Sequence, residues 1–275
     1  MSATGGSGRS TVAGLLADGM SQAGSVVVVD LAPRLSSPWP RIAAGQNADG
    51  LAGLPPDQPQ SRGQVRRACA TSSAGEGHPE WHLLTDLREW HSGPLRLPEE
   101  AAPWYQLASV GGWQTIIADT RHTVAHDIVR ARYTEGRGAT REWYELPCSI
   151  GLLTAAATAG GVHGLQQAVR AFQSDGLPLD RTVIALVSVG DGRMPPSVKA
   201  AATMLEGHGS AVVHVPYDPV IRAHGLAQRS RLRARTREAA RHLALAVTDT
   251  AHAAWGDPLP EAPMPAPLSL SATAL

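Results

Sequence analysis

The sequence predicts an α/β fold, in which helices cover both faces of a doubly wound, mostly parallel sheet to form three α/β/α layers. Short β-branched runs alternate along the chain with Ala-, Leu- and Arg-rich stretches of helical length, and this alternation is typical of βαβ units. The runs are apolar at consecutive positions, as in strands that are buried on both faces. The 275 residues suffice for one such domain, which we assign to residues 1–256.

Six strands and six helices follow from this pattern. The strands are predicted at residues 25–31, 81–86, 113–120, 148–156, 182–189 and 211–218. The helices are predicted at residues 10–19, 99–110, 122–133, 161–174, 196–208 and 226–255. Residues 36–79 are rich in Gly, Pro, Ser and Gln, which predicts an irregular excursion with at most one short helix. The Pro- and Ala-rich residues 257–275 predict a disordered tail.

The charge of the chain is balanced, with 24 basic and 24 acidic residues, so its composition is not that of a general polyanion-binding protein. The two cysteines, Cys69 and Cys148, lie far apart and are predicted to be free thiols. The sequence shows no run of about 18 apolar residues and no charged-then-apolar leader. These features predict a cytoplasmic protein.

The stretch "SATGGSGRST" at residues 2–11 has the composition of a phosphate-binding turn. Its glycines allow backbone N–H groups to converge on an anion, and the helix that follows adds positive potential at its N-terminus. A serine hydroxyl in the same turn can bind Mg²⁺. The alternative is a glycine-rich helix cap that binds nothing. Asp119, which ends the apolar run "TIIAD", favours the first interpretation, because a carboxylate at a strand end can hold a metal-bound water.

Four stretches together resemble the ParA/MinD family of deviant-Walker P-loop ATPases, including its pilus-assembly and secretion-associated branch. They are "TGGSGRST", "VVVVDLAP", "IIADTRH" and "VPYDPVIRAHG". In this order they resemble the family's glycine loop, its second strand with the first switch, its Walker B strand with the second switch, and its late strand beside the adenine ring. The resemblance covers residues 2–226 and implies the P-loop NTPase version of the predicted fold.

The resemblance implies that the chain binds ATP together with Mg²⁺. The residues implied around the phosphates are Gly5, Gly6, Ser7, Gly8, Arg9, Ser10 and Thr11. Ser10 and Asp119 would hold Mg²⁺, and Arg9 and Asp119 would serve as catalytic residues. Pro216 and Asp218 would lie near the base.

The sequence departs from the family pattern at five positions, one of which is Ala3, where the strict pattern has glycine. Thr4 and Arg9 stand where members place lysines, and Thr4 cannot reach across a dimer to the partner's nucleotide. Ala32 stands where a second aspartate helps to position the attacking water, so hydrolysis should be weak. Ser188 stands where an asparagine reads adenine.

These observations predict a nucleotide-dependent switch for dimerisation or partner docking, acting in partition, cell-division placement, or secretion and pilus assembly. The alternative is a degenerate P-loop scaffold that binds partners without productive turnover. A third possibility is a small-molecule kinase, for which Arg137 and Arg141 are the candidate lid arginines. The late segment "VPYDPVIRAHG" favours the ParA-like function over the kinase.

The central strand that leads into a glycine loop of this kind is not evident, since only Met1–Thr4 precede the glycines. Unpaired strand edges inside a sheet are costly, so we expect a true chain with an apolar strand upstream of Met1. The alternative is a sheet that closes up without this strand.

The predicted partners are a second copy of the chain and an unidentified protein. The arginine-rich stretch from Arg229 to Arg241 is predicted as one helix, either simply solvated or in contact with DNA or an anionic membrane. His122 and His126 have a spacing that suits a metal, but no third ligand is evident, and we place them in the second switch. Trp39 follows the first switch, and packing is predicted for it ahead of the alternative, a contact with a partner.

Overall fold

The computed structural model describes residues 1–55, 58–72, 80–206 and 211–263. Its strands are β1 (Val26–Asp30), β2 (Ala70–Ser72), β3 (Trp81–Leu84), β4 (Thr115–Asp119), β5 (Gly151–Ala156), β6 (Thr182–Val187) and β7 (Ala211–Val215). Its α-helices are α1 (Arg9–Met20), α2 (Trp39–Ile42), α3 (Arg62–Ala68), α4 (Ala101–Gly111), α5 (Val124–Tyr133), α6 (Ala139–Tyr144), α7 (Ala159–Ser174), α8 (Pro196–Glu206), α9 (Pro219–His224) and α10 (Ala234–Trp255). Every predicted strand is present.

The strands pair almost entirely in parallel. β2, β3, β1 and β4 lie side by side in this order, and β5, β6 and β7 form a second group. Only β2 runs antiparallel, at the edge beside β3. In the register of β1 with β4, Asp30 lies opposite Asp119, so two carboxylates meet where these neighbouring strands end.

Helices cover both faces of the strands, as predicted. Val26 and Val28 of β1 pack in the apolar cluster that contains residues of α1 and α10. Val27 and Val29 pack in the cluster of α3 and α4 on the opposite face. On the other group of strands, Leu153, Ile184 and Leu186 contribute to a cluster with α7 and α8. This burial on both faces explains why the strand sequences are continuously apolar.

The N-terminal residues lie between the two groups of strands. Ser2 forms parallel bridges both to Thr154 of β5 and to Thr123, shortly after the end of β4. The amide of Ala3 donates to the carbonyl of Thr154 at 2.9 Å, and the amide of Val124 donates to the carbonyl of Ser2 at 3.1 Å. The first few residues therefore pair with the middle of β5 and with the segment after β4, and α1, which contacts β4 and β5, joins the two groups from one face.

Two parts of the fold differ from prediction. Residues 36–79 contain two α-helices, α2 and α3, and the edge strand β2, where at most one short helix was predicted. The predicted helix 226–255 begins instead at Ala234, after a 3₁₀ segment at Gly225–Arg231. The prediction of one helix from Arg229 to Arg241 is therefore wrong: Arg229 is buried in the 3₁₀ segment. The helix starts late because Asp218 accepts hydrogen bonds from the amide of Arg233 and the hydroxyl of Thr236, which fixes its first turn.

Of the predicted tail, residues 257–263 have no helix or strand, and residues 264–275 lie outside the described residues. None of the helices in the described ranges combines the length and the apolar character needed to cross a membrane. Both cysteines are free, as predicted.

Candidate functional site

The glycine-rich turn is a tight loop between the end of the N-terminal bridge and α1. Gly6 and Gly8 have φ angles of 71° and 80°, in the left-handed region that only glycine adopts without strain. Between them, the Ser7 hydroxyl lies 2.7 Å from that of Thr154, which anchors the loop to β5. A Cβ on Gly8 would lie 3.1 Å from the side chain of Val187, so the loop also packs closely on the end of β6.

The amides of this loop are available to a ligand. Within the described part of the chain, no residue accepts a backbone hydrogen bond from the amides of residues 4–11; the first such bond runs from Val12 to the carbonyl of Gly8. Alternating left-handed glycines followed by a helix N-terminus form a concave set of N–H donors that suits an anion such as phosphate. Binding of a phosphate by these amides stays a prediction.

Asp119 lies beside the loop, and its carboxylate accepts hydrogen bonds from the loop residues Arg9 and Ser10. It ends β4 and is 1% exposed. The Nε of Arg9 donates to its Oδ1 at 2.7 Å, and the hydroxyl of Ser10 donates to its Oδ2 at 2.6 Å. The structure therefore brings together the three residues that were predicted to share the metal and the chemistry.

Trp39 supplies a third donor to the same carboxylate. Its indole Nε1 donates to Oδ2 of Asp119 at 2.7 Å, and the side chain is fully buried. The sequence predicted its burial but not this hydrogen bond, because nothing in the local pattern distinguishes an indole that faces a carboxylate from one that only packs.

The second carboxylate of the site, Asp30, is also enclosed. Its Oδ2 accepts from the hydroxyls of Ser37 and Thr85, and its Oδ1 accepts from the amide of Ala32. Burial raises the pKa of Asp30 to about 6, against the opposing effect of these hydrogen bonds. Asp30 thus holds the start of the segment after β1 rather than presenting a free carboxylate.

The fold of this chain is similar to that of several solved structures. No family model matches the sequence, and no curated protein matches it. The structure is similar to the cell division ATPase MinD of Pyrococcus furiosus, with a TM-score of 0.58 and 16% identity over 90% of this chain and 95% of that chain. It is similar to the MinC:MinD complex of Aquifex aeolicus, with a TM-score of 0.57 and 13% identity over 94% and 96% of the two chains.

A further similar structure is the ATP complex of a Cyanothece McdA variant, with a TM-score of 0.52 and 14% identity over 90% of this chain and 94% of that chain. The chain has the ParA/MinD fold. At these identities the similarity establishes the architecture, and the roles of individual residues have to be argued from the site itself.

Within the ParA/MinD fold, the two residues predicted near the base occupy different environments. Pro216 follows β7 and is partly exposed. Asp218 is 3% exposed, and its carboxylate caps α9 through the amide of Val220 in addition to holding the first turn of α10. The contact of either residue with a base stays a prediction. Nearby, Ser188 lies 2.7 Å from Nε2 of His214, which links the ends of β6 and β7.

Thr4 and Ala32 are two of the positions that depart from the ParA/MinD pattern. A Cβ on Gly164 would lie 2.3 Å from the Cγ2 of Thr4, so Thr4 packs closely against α7. Ala32 is 8% exposed and carries no group that could orient water. The weak hydrolysis predicted from Ala32 stays a prediction.

His122 lies two residues before α5, and His126 lies in its first turn. Among the described residues, no group of three or more His, Cys, Asp or Glu side chains could hold a metal ion. Burial lowers the pKa of His122 to about 4, with smaller contributions from nearby charges, and its Nε2 has no hydrogen-bond partner among those residues. His126, four positions further on, is exposed.

Proposed function

We propose that the chain binds ATP with Mg²⁺ and acts as a nucleotide-dependent switch of the ParA/MinD type. The observation that carries the proposal is the convergence of Arg9, Ser10 and Asp119 at the mouth of a loop whose amides are free. The loop amides would bind the β- and γ-phosphates, and Arg9 would balance their charge. Pro216 and Asp218 would lie on the side of the base.

The oxygen donors present suit Mg²⁺. The hydroxyl of Ser10 and the carboxylate of Asp119 are 2.6 Å apart and are the hard ligands that this ion prefers. A two-residue set with phosphate oxygens is the usual protein share of a Mg²⁺–nucleotide site. When bound, the ion would neutralise charge that develops on the phosphates. Ser10 and Asp119 would orient it, and Arg9 would exchange its ion pair with Asp119 for the phosphates.

The rate of ATP hydrolysis should be low. With Ala32 in place of a second acidic residue and Asp30 already engaged by three donors, no free carboxylate among the described residues of this segment faces the site. We therefore infer that ATP acts mainly through binding, by ordering the segments after Asp30 and Asp119, and that a second copy or another protein recognises the ordered state. The process served would be partition, division-site placement, or secretion and pilus assembly in the cytoplasm.

The test is calorimetric titration of the chain with ATP in the presence of Mg²⁺, beside the variants Arg9→Ala and Arg121→Ala. Arg121 is the matched control, because its ion pair with Glu99 is exposed and does not involve Asp119. We expect binding to the wild-type chain and to Arg121→Ala, a loss of about tenfold or more in Arg9→Ala, and slow phosphate release. Absence of binding to all three proteins would favour the degenerate scaffold, and ATP-dependent phosphorylation of a small acceptor would favour a kinase.

Dimerisation is tested by the solution mass of the chain with and without Mg²⁺ and ATP. A mass that doubles only with nucleotide supports the switch. A mass that is unchanged by bound nucleotide contradicts dimerisation as its output and leaves a different protein as the partner.

A contact with DNA or an anionic membrane would depend on few residues of the 229–241 stretch. Arg233 and Arg235 pair with Asp191, and Arg241 pairs with Glu238. Arg231 and Arg237 bond to uncharged oxygens of Gln228 and Leu232. Within the described residues, the charges of Arg231 and Arg237 therefore have no acidic partner. Binding of duplex DNA that falls steeply with salt, and falls again in an Arg231→Gln, Arg237→Gln variant, would support this contact.

A further inference from the structure

The carboxylate of Asp119 is held by donors from two different parts of the chain. Arg9 and Ser10 come from the start of α1, and Trp39 comes from the segment after β1. A carboxylate has about four acceptor positions, and three are used here, two of them on Oδ2. The orientation of the group is therefore fixed before any ligand arrives.

Trp39 is itself fixed by its surroundings. Its ring lies edge-on to Trp81, with 5.9 Å between centroids and an interplanar angle of 87°. It also lies against α1, since a Cβ on Gly14 would be 3.4 Å from the ring. A buried indole N–H requires an acceptor, and Asp119 is the acceptor that this packing leaves for it.

The backbone around Trp39 is tied to the second carboxylate. The amide of Trp39 donates to the hydroxyl of Ser37, and that hydroxyl donates to Oδ2 of Asp30 at 2.7 Å. Residues 34–42 are thus attached to both strand-end aspartates, at Asp30 through Ser37 and at Asp119 through the indole. Leu35 in the same segment is 76% exposed, so a change in this segment alters the surface.

We propose that Trp39 is a positioning residue for Asp119 and the group through which occupancy of Asp119 by a cation is transmitted to residues 34–42. The inference rests on the proposed function, because the cation is the one that accompanies ATP. The carboxylate of Asp119 would be a weaker acceptor for the indole when it also holds a cation, because the cation would draw electron density from its oxygens. The segment that the indole anchors is then freer to take up a second arrangement.

The indole of Trp81 makes a similar hydrogen bond and provides a reference resonance for this proposal. Trp81 also donates its Nε1 to a carboxylate at 2.7 Å, but its acceptor is Asp18 in the last two turns of α1. Asp18 also pairs with Arg229 and lies at the opposite end of α1 from the glycine loop. Two buried indoles thus make the same hydrogen bond, one inside the candidate site and one outside it.

The experiment follows the indole N–H resonances of the full chain by ¹⁵N–¹H NMR. Trp39→Phe and Trp81→Phe identify the two resonances, and Asp119→Asn identifies that of Trp39 independently if Trp39→Phe does not fold. Addition of Mg²⁺ with ATP should move the Trp39 resonance upfield and move the Trp81 resonance much less. ATP with a chelator should have a smaller effect on Trp39 than ATP with Mg²⁺.

Calorimetry gives a second readout. In Trp39→Phe, the gain in ATP affinity that Mg²⁺ provides should rise, by up to about tenfold, because a hydrogen bond that the cation weakens opposes binding of the cation to the same extent. In Trp104→Phe, which removes a buried indole that lies in the apolar cluster of α3 and α4 and donates to the carbonyl of Pro98, the gain should be retained. A merely structural role for Trp39 would instead lower affinity equally with and without Mg²⁺.

The outcomes separate the two proposals. Binding of Mg²⁺ with ATP that leaves the Trp39 resonance unmoved would overturn this inference and leave the proposed function intact. Absence of ATP binding to the wild-type chain would overturn the proposed function and this inference with it. A Trp39 resonance that does not move in Asp119→Asn would show that the indole does not bond to this carboxylate.

Discussion

Arg9 and Asp119 are separated by 110 positions in the chain, and the Nε of Arg9 donates to Oδ1 of Asp119 at 2.7 Å. The side chain of Asp119 is fully buried, whereas that of Arg9 is 21% exposed. A buried carboxylate needs a counter-charge, and Arg9 provides it while no cation is bound. The same ion pair therefore contributes to the stability of the folded chain and lies at the proposed Mg²⁺ site.

The first prediction concerns this ion pair. Arg9→Gln should lower the free energy of unfolding by about 2 kcal/mol, because it leaves the Asp119 carboxylate with two uncharged donors. Adding Asp119→Asn to Arg9→Gln should restore part of the loss, since no buried charge is then left. Urea unfolding without nucleotide measures both changes. Equal losses in Arg9→Gln and in Arg121→Gln, whose ion pair is exposed, would show that the buried pair has no special weight.

The second prediction uses the three glycines of the loop as matched positions. Gly8→Ala should be the most damaging change, because Gly8 has positive φ and a Cβ there would press on Val187. Gly6→Ala carries only the strain of positive φ, on the order of 1 kcal/mol. Gly5 does not have positive φ, and a Cβ there would have no atom within 4 Å, so Gly5→Ala should leave stability unchanged. Thermal unfolding of the three variants tests this order, and a loss in Gly5→Ala equal to that in Gly8→Ala would contradict the loop geometry.

The sequence predicted the layered fold well, because burial on both faces makes the strands continuously apolar. All six strands predicted from this pattern are present. The edge strand β2 was missed, since its three residues, Ala70–Ser72, are too short to show a periodicity. The late start of α10 was missed as well, because Asp218, which fixes it, lies 15 residues before Arg233. Tertiary hydrogen bonds of this kind leave no local signal.

The structure brings together the glycine loop, Ser10 and Asp119, as the sequence predicted, and their use as a nucleotide site stays a prediction. The glycines, Ser10 and Asp119 could be found because each belongs to a short pattern with a mechanism, a loop before a helix and an acid at a strand end. Trp39 could not be found in this way. Its bond to Asp119 depends on how residues 34–42 fold back over the strand ends, which involves Ser37 and Trp81 together.

The third prediction concerns Asp218, whose carboxylate accepts hydrogen bonds from the first turns of both α9 and α10. Its carboxylate accepts from the amides of Val220 and Arg233 and from the hydroxyl of Thr236. Asp218→Ala removes all three acceptor contacts and should lower the free energy of unfolding by about 2 to 3 kcal/mol. Asp218→Asn keeps one acceptor oxygen and should cost less. If Asp218→Ala were as stable as the wild-type chain in urea, the start of α10 would have to be fixed by other contacts.

The fourth prediction concerns the dependence of stability on pH. His122 has a pKa lowered from 6.5 to about 4, chiefly by burial, so the folded chain holds this ring neutral while the unfolded chain protonates it below pH 6.5. The unfolded state then binds more protons, and stability falls as the pH falls from 6.5 towards 4. At the lower end the contribution is up to about 3 kcal/mol.

His122→Gln removes this titration and should flatten the loss of stability between pH 6.5 and 4 relative to the wild-type chain. The matched control is His126→Gln, which removes an exposed histidine four positions further on and should leave the slope unchanged. Urea unfolding at several pH values gives the slope for all three proteins. Because the glutamine side chain does not titrate, the variant should lose less stability than the wild-type chain as the pH falls. A slope that is the same in wild type and His122→Gln would mean that this ring takes up its proton as readily in the folded chain as in the unfolded one, contrary to its lowered pKa.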